Sequence, residues 1–318
     1  MNSLEQLSQF STIVADSGEI NMIKLVKPQD ATTNPSLIYK ASQKDEYRSL
    51  VENAVNWAKQ RGGSESDLME NIIDKLSINF GLEILQHVPG YVSTEIDADL
   101  SFDKESTVKR AIKIIRIYES EGISKDRILV KVAATWEGIK ASEELMKHGI
   151  QCNLTLIFNL AQAVACAENY CFLISPFVGR ISDWHKQRSQ NNFEASQDPG
   201  VLSVKNIYNY YKKFNYKTVI MGASFRNIEQ IIELAGCDRL TLSPDLINKL
   251  ASENIEISKK LTLESAQESD TPRIKITEPN FRNLLNDDEM ATTKLSDGIR
   301  IFKKDHQNLI NYIKNNFF

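Results

Sequence analysis

A lysine stands inside an apolar run, ILVKVA (128–133), while carboxylates end or interrupt two other short strand-like runs, STIVAD (11–16) and YVSTEID (91–97). A lysine drawn partly out of water gives up its proton more readily than a solvated one. Its neutral amine can then attack a ketone carbon and form a Schiff base, provided acid and base groups stand nearby. Asp16 and Glu95 are the carboxylates that could do this for Lys131. Strand alternation says where these side chains point. Ile128, Val130 and Val132 share one face of ILVKVA, which leaves Lys131 on the other with Leu129 and Ala133. In CNLTLI (152–157) the same rule turns Asn153 and Thr155 inward together and Cys152, Leu154 and Leu156 outward; in YVSTEID it puts Ser93, Glu95 and Asp97 on one face. Ser175, and then Ser224 with Arg226, follow at the ends of two later runs. Arg180 and Arg226 each fall where a strand gives way to a helix, and there backbone N–H groups and a guanidinium can hold an anion together.

Each of these residues also has a purely structural explanation. A lysine stem can lie along apolar surface with its ammonium in water. Asp16 opens the turn-like tripeptide D-S-G, Asn34 before Pro35 is a complete helix N-cap, and Thr155 is simply a good strand former. Either arginine could form a surface ion pair. It is the grouping of an in-strand lysine with two carboxylates and several neutral polar groups that favours chemistry, because an isolated buried ammonium is costly.

The elements that must position this set alternate in type. Eight strand-like runs occur, at 11–16, 30–34, 91–97, 128–133, 152–157, 171–178, 217–224 and 239–243, and most are separated by segments with helical apolar spacing. Eight βα units in one chain predict a closed (β/α)8 TIM barrel rather than an open α/β sheet. Additional helices are expected at 36–60 and about 66–87, a long surface loop over 186–200, and a mixed, charge-rich stretch over 254–288. A C-terminal helical extension from about 288 to 318 completes a single domain covering 1–318. Barrel enzymes build their sites at the C-terminal ends of the strands, and the polar residues named above cluster there.

With 318 residues, 42% of them hydrophobic, the chain can bury a large core. A net charge of −4 offers no basic stripe for nucleic acid or for an anionic membrane surface. No targeting leader or membrane-spanning run is evident, and Cys152, Cys166, Cys171 and Cys237 include no C-x-x-C pair, so a cytoplasmic location with reduced thiols is expected. The four histidines (His87, His148, His185, His306) fall in helical or loop segments away from strand ends, which disfavours zinc or triad chemistry.

DATTNPSLI (30–38), ILVKVAATWEGIKASEEL (128–145), NLTLIF (153–158), SPFVGRISDW (175–184) and GASFRN (222–227) together resemble the class I transaldolases of the long bacterial and eukaryotic type. The resemblance covers nearly the whole chain. It implies a (β/α)8 barrel, commonly a homodimer, that needs no metal or other cofactor and acts on sugar phosphates. The implied reaction moves a dihydroxyacetone unit from fructose 6-phosphate or sedoheptulose 7-phosphate to erythrose 4-phosphate or glyceraldehyde 3-phosphate. By the same resemblance Lys131 is the Schiff-base lysine and Asp16 the acid/base at the C4 hydroxyl, while Glu95 and Thr155 hold an assisting water. Asn34, Asn153 and Ser175 would bind the dihydroxyacetone hydroxyls, and Arg180, Ser224 and Arg226 the phosphate. Phe177 agrees with transaldolases, whereas the related fructose 6-phosphate aldolases have tyrosine at that place. Such an aldolase, or a non-catalytic phosphosugar-binding barrel, is the alternative reading.

Overall fold

In the computed structural model, which describes residues 1–189 and 192–318, the eight runs become β1 (Thr12–Asp16), β2 (Asp30–Thr32), β3 (Val92–Glu95), β4 (Ile128–Ala133), β5 (Gln151–Ile157), β6 (Leu173–Pro176), β7 (Val219–Gly222) and β8 (Arg239–Leu242). All pair in parallel in sequence order, and β8 closes on β1. The barrel anticipated from the alternation of runs is therefore the fold.

Period two divides the barrel interior into layers. Val14, Leu129, Leu173 and Met221 form a buried apolar floor. Two residues further along their strands, on the same face, come Asp16, Lys131, Ser175 and Ala223. Register then aligns strands laterally: Glu95 is opposite Lys131, and Lys131 is opposite Asn153, so one row crosses β3, β4 and β5. The outward faces pack against the surrounding helices in the main apolar core.

The chain departs from simple alternation in places with identifiable causes. The helical run expected over 36–60 is two helices, Pro35–Ser42 and Arg48–Lys59, separated by a 3-10 turn at Asp45–Tyr47. That break buries Tyr47 edge-on against Phe80, 5.4 Å between ring centres, and its hydroxyl accepts the Ile20 N–H at 3.0 Å. A short helix, Ile20–Val26, also follows β1. In the segment expected to be a loop, residues up to Ser189 belong to the helix Val178–Ser189, positions 190 and 191 lie outside the described residues, and Asp198 caps the helix Pro199–Lys213. Leu156, expected to face outward, does not: β5 changes register between Leu154 and Ile157, and Leu156 has φ +59°. The bulge turns its side chain into a separate apolar cap with Phe158, Phe177 and Phe302.

Phe302 belongs to the helix Glu289–Phe317, which begins at the Asp288 cap, close to where the sequence placed the tail. The mixed stretch before it contains two further helices, Leu263–Gln267 and Glu278–Asp287. Met290, Ala291, Leu295, Ile299 and Phe302 supply much of the apolar cap, so the tail roofs the C-terminal face of the barrel. Among the described residues no helix is long and apolar enough to cross a membrane.

Candidate active site

At the C-terminal face a cavity of about 230 Å³ is lined by Asp16, Asn34, Lys131, Ser175, Phe177, Arg180, Ser224 and Arg226, eight of the residues singled out in the sequence. Thr32, Thr241 and Phe302 complete the parts of its wall that matter below. The remaining three candidates, Glu95, Asn153 and Thr155, stand behind that wall.

Lys131 projects from β4 and is buried. Its Nζ lies 3.0 Å from Glu95 Oε2 and donates to the Thr33 carbonyl at 3.2 Å. Burial raises the pKa of Glu95, with the neighbouring Lys131 as the main opposing influence. Glu95 Oε2 is engaged by the Lys131 ammonium, whereas buried Thr155 Oγ1 makes no hydrogen bond among the described residues. Buried polar atoms left without partners are rare outside catalytic and water-binding positions.

Asp16, at the end of β1, is oriented by the Thr32 hydroxyl, which donates to Oδ1 at 3.0 Å and contacts the Thr241 hydroxyl at 3.1 Å. The Asx-turn is not how its carboxylate is used. Asn34 does cap a helix, its Oδ1 accepting the Leu37 N–H at 3.0 Å, yet the residue also lines the cavity, so the two readings coexist. Asn153 is fully buried and engaged at both ends of its amide: Nδ2 donates to Ser93 Oγ at 3.1 Å, and Oδ1 accepts from Ser175 Oγ at 2.6 Å. Its place is behind Ser175, holding that hydroxyl.

The two arginines differ. Arg226 is exposed and makes a double contact with Asp183, Nε and Nη2 donating to Oδ2 at 3.0 and 2.7 Å. Its Nη1 reaches Ser224 Oγ at 3.3 Å. Arg180 is half-buried, and among the described residues no carboxylate is within ion-pair distance of it. Its guanidinium lies over the rings of Phe177 and Phe302, 4.9 and 5.5 Å from their centres. Burial lowers its pKa, followed by the charge of Arg226, with Glu95, Asp16 and Asp183 acting in the opposite sense.

Backbone geometry brings these two arginines together. Ser224 adopts φ +61°, uncommon for a residue with a Cβ. Its carbonyl accepts the Gly179 N–H at 2.9 Å and Arg226 Nη1 at 3.1 Å. A methyl group on Gly179 would collide with that carbonyl, so the close approach requires glycine. Beneath it, Gln230 accepts the Arg226 N–H at 2.9 Å and donates to Ser182 Oγ and to Asp198 Oδ2, both at 3.0 Å. Asp183, Gly179, Gln230, Asp198 and Phe302 were not singled out in the sequence. Thr32 was legible as a strand-end hydroxyl in DATTN, whereas the others give no local signal because their partners are distant in sequence.

The arrangement joins a buried amine and carboxylate to a small cavity that a second carboxylate and two arginines also line. It suits covalent attack on a carbonyl of a small anionic molecule. Residues 13–313 match the family described as transaldolase/fructose-6-phosphate aldolase. A protein named transaldolase from Shewanella amazonensis is 54% identical over 313 residues, covering 98% of each chain. The Homo sapiens protein of that name is 55% identical over 306 residues, 96% of this chain and 91% of its own, and the Rattus norvegicus protein is similar to the same extent.

Proposed function

This chain belongs to the transaldolase/fructose-6-phosphate aldolase family and is an enzyme of the transaldolase type, and from that premise we propose that Lys131 carries a dihydroxyacetone unit from a ketose phosphate to an aldose phosphate. The observation that carries the proposal is the buried Lys131–Glu95 pair at a cavity that Lys131, Arg180 and Arg226 line together. Proton transfer from the ammonium to Glu95 yields the neutral amine, and the raised pKa of Glu95 favours this direction. The amine adds to the C2 carbonyl. Glu95 then protonates the carbinolamine hydroxyl, which leaves as water while the nitrogen lone pair closes the C=N bond. The iminium is the electron sink. Asp16, set by Thr32, takes the C4 hydroxyl proton, the C3–C4 bond breaks, and its electrons enter the iminium to give an enamine. The first aldehyde departs, a second is attacked by the enamine, and hydrolysis frees the new ketose.

The remaining roles follow from placement. Asn34 and Ser175 line the cavity for the hydroxyls at C1 and C3, with Asn153 orienting Ser175. Thr155 Oγ1, which makes no hydrogen bond among the described residues, and the Glu95 carboxylate beside Lys131 would hold the exchanging water. Arg180, with no carboxylate at ion-pair distance among the described residues, is the principal phosphate-binding residue, and Ser224 and the Asp183-braced Arg226 assist it. We take fructose 6-phosphate and sedoheptulose 7-phosphate as donors, with erythrose 4-phosphate and glyceraldehyde 3-phosphate as acceptors. The protein is taken to act as a homodimer in the cytoplasm, where its four unpaired, buried cysteines would remain reduced.

Borohydride reduction in the presence of fructose 6-phosphate tests the central step. Mass spectrometry should locate the adduct on Lys131 alone, and transfer to erythrose 4-phosphate should be abolished in Lys131→Met. Labelling of another lysine, or transfer by that variant, would refute it.

A further inference from the structure

Glu95, whose Oε2 lies 3.0 Å from Lys131 Nζ, also lines a second, much smaller cavity. That rear cavity has a volume of about 20 Å³, enough for a single water, and is lined by Glu95, Thr33, Ser77, Asp97 and His306 among others. The two spaces adjoin at Asn34, which lines both, and at Lys131, which lines the front cavity while its Nζ contacts Glu95 and the Thr33 carbonyl, residues of the rear one. On the far side, Asp97 Oδ2 and His306 Nε2 approach to 3.6 Å, and both residues also line an open surface depression of about 480 Å³. The carboxylates of Glu65, Glu70 and Asp99 face this depression. Arg110, Lys303 and Lys314 offset them, Lys303 pairing with Asp99 and Lys314 with Glu65.

We infer that the water released at C2 leaves, and the hydrolytic water enters, through this rear cavity past Asp97 and His306, not through the substrate cavity. The inference rests on the Lys131 reading above. A ketose phosphate bound in the front cavity of about 230 Å³, which Phe302 also lines, would stand between that exit and the water released beside Glu95 and Thr155. Thr155 Oγ1, which makes no hydrogen bond among the described residues, and the Glu95 carboxylate beside Lys131 are where such water would first be held. Asp97 and His306 are then gate residues: polar enough to pass a water from hand to hand, and carried by two elements, the cap of the 3-10 turn Ala98–Leu100 after β3 and the C-terminal helix, that meet only in the folded chain.

The test follows the oxygen atom. Fructose 6-phosphate labelled with ¹⁸O at C2 is incubated with the enzyme without acceptor, and loss of label from recovered ketose is measured against the rate of borohydride trapping at Lys131. The wild type should lose label at nearly every reversal of Schiff-base formation, and Ser77→Ala should behave the same. Ser77→Leu, which fills the rear cavity, and His306→Trp, which plugs its outer end, should each still be trapped at Lys131. Their label loss per trapping event should fall by roughly tenfold or more, because only rare local opening would then release the water. Equal ratios in the wild type and in whichever of these variants folds, or retention of label by the wild type, would overturn the rear route. Failure of trapping at Lys131 in the wild type would instead overturn the Schiff-base assignment itself.

Discussion

Glu95 and Lys131 occupy opposed register positions on neighbouring strands, and their charged atoms lie 3.0 Å apart with only 5% and 6% of the two side chains exposed. Parallel pairing fixes the backbones about 4.8 Å apart, so side chains on the same face of the same row must meet. The contact is thus a property of register more than of side-chain choice. Its energetic consequence is a buried pair whose members are held in place by the sheet.

Removing one member of such a pair leaves the other charge stranded, which typically costs about 3–5 kcal/mol, whereas replacing both by neutral groups is often neutral or stabilising. Glu95→Gln alone should therefore lower the melting temperature, and Glu95→Gln with Lys131→Met should restore it to the wild-type value or above, with no transfer activity. The sign of the pH dependence follows from the raised pKa of Glu95. Above the ordinary carboxylate range the unfolded chain binds fewer protons at this position than the folded one, so its contribution to stability is present in acid and is lost as pH rises through the folded value. The wild type should lose stability relative to the double variant over that interval. Parallel unfolding curves at every pH would show that the pair does not titrate as described.

Arg180 and Arg226 should respond unequally to truncation. Arg180→Ala removes the half-buried guanidinium stacked on Phe177 and Phe302, and KM for phosphorylated donors should rise about tenfold to a few hundredfold, equivalent to about 1.5–3 kcal/mol. Arg226→Ala should cost less, since part of that side chain's binding capacity is already spent on Asp183. Steady-state kinetics on phosphorylated and unphosphorylated donors decide the matter. A larger effect from Arg226, or equal effects on both donor types, would count against the assignment.

Asp16→Asn keeps an oxygen to accept the Thr32 hydroxyl and so should preserve the fold while removing the base. The expected fall in kcat is about 10²–10⁴ with little change in thermal stability. Borohydride trapping should persist, because Schiff-base formation is assigned to Glu95. A variant that is stable and fully active would show that another group takes the C4 proton.

Gly179→Ala places a methyl group against the Ser224 carbonyl, a backbone atom that cannot swing aside. The resulting shift should destabilise the fold by about 1–3 kcal/mol, in the range of other overpacking substitutions, and raise KM for phosphorylated donors by displacing Ser224 and Arg226. Calorimetry and kinetics on the same preparation would test both parts. An unchanged KM would mean that this close approach supports the fold but not the anion end of the site.

Much of this was determined by local pattern. Alternation in ILVKVA is enough to aim Lys131 inward, eight strand-like runs separated by helical spacing are enough to call for a barrel, and strand-end positions are enough to single out Asp16, Ser175 and Arg180. These succeed because period two and period 3.6 are enforced residue by residue along the backbone. What the tertiary structure alone decided are relations between residues far apart in the chain. Asp183 claims Arg226 across 43 positions, Asn153 turns out to brace Ser175 behind the cavity wall, and Phe302 arrives on the C-terminal helix to roof the site. Leu156 shows the limit of alternation itself, for one bulge in β5 reverses the face that period two assigns. Such contacts depend on register, bulges and the docking of whole helices, whose energies are summed over many residues and leave no mark on any short stretch of sequence.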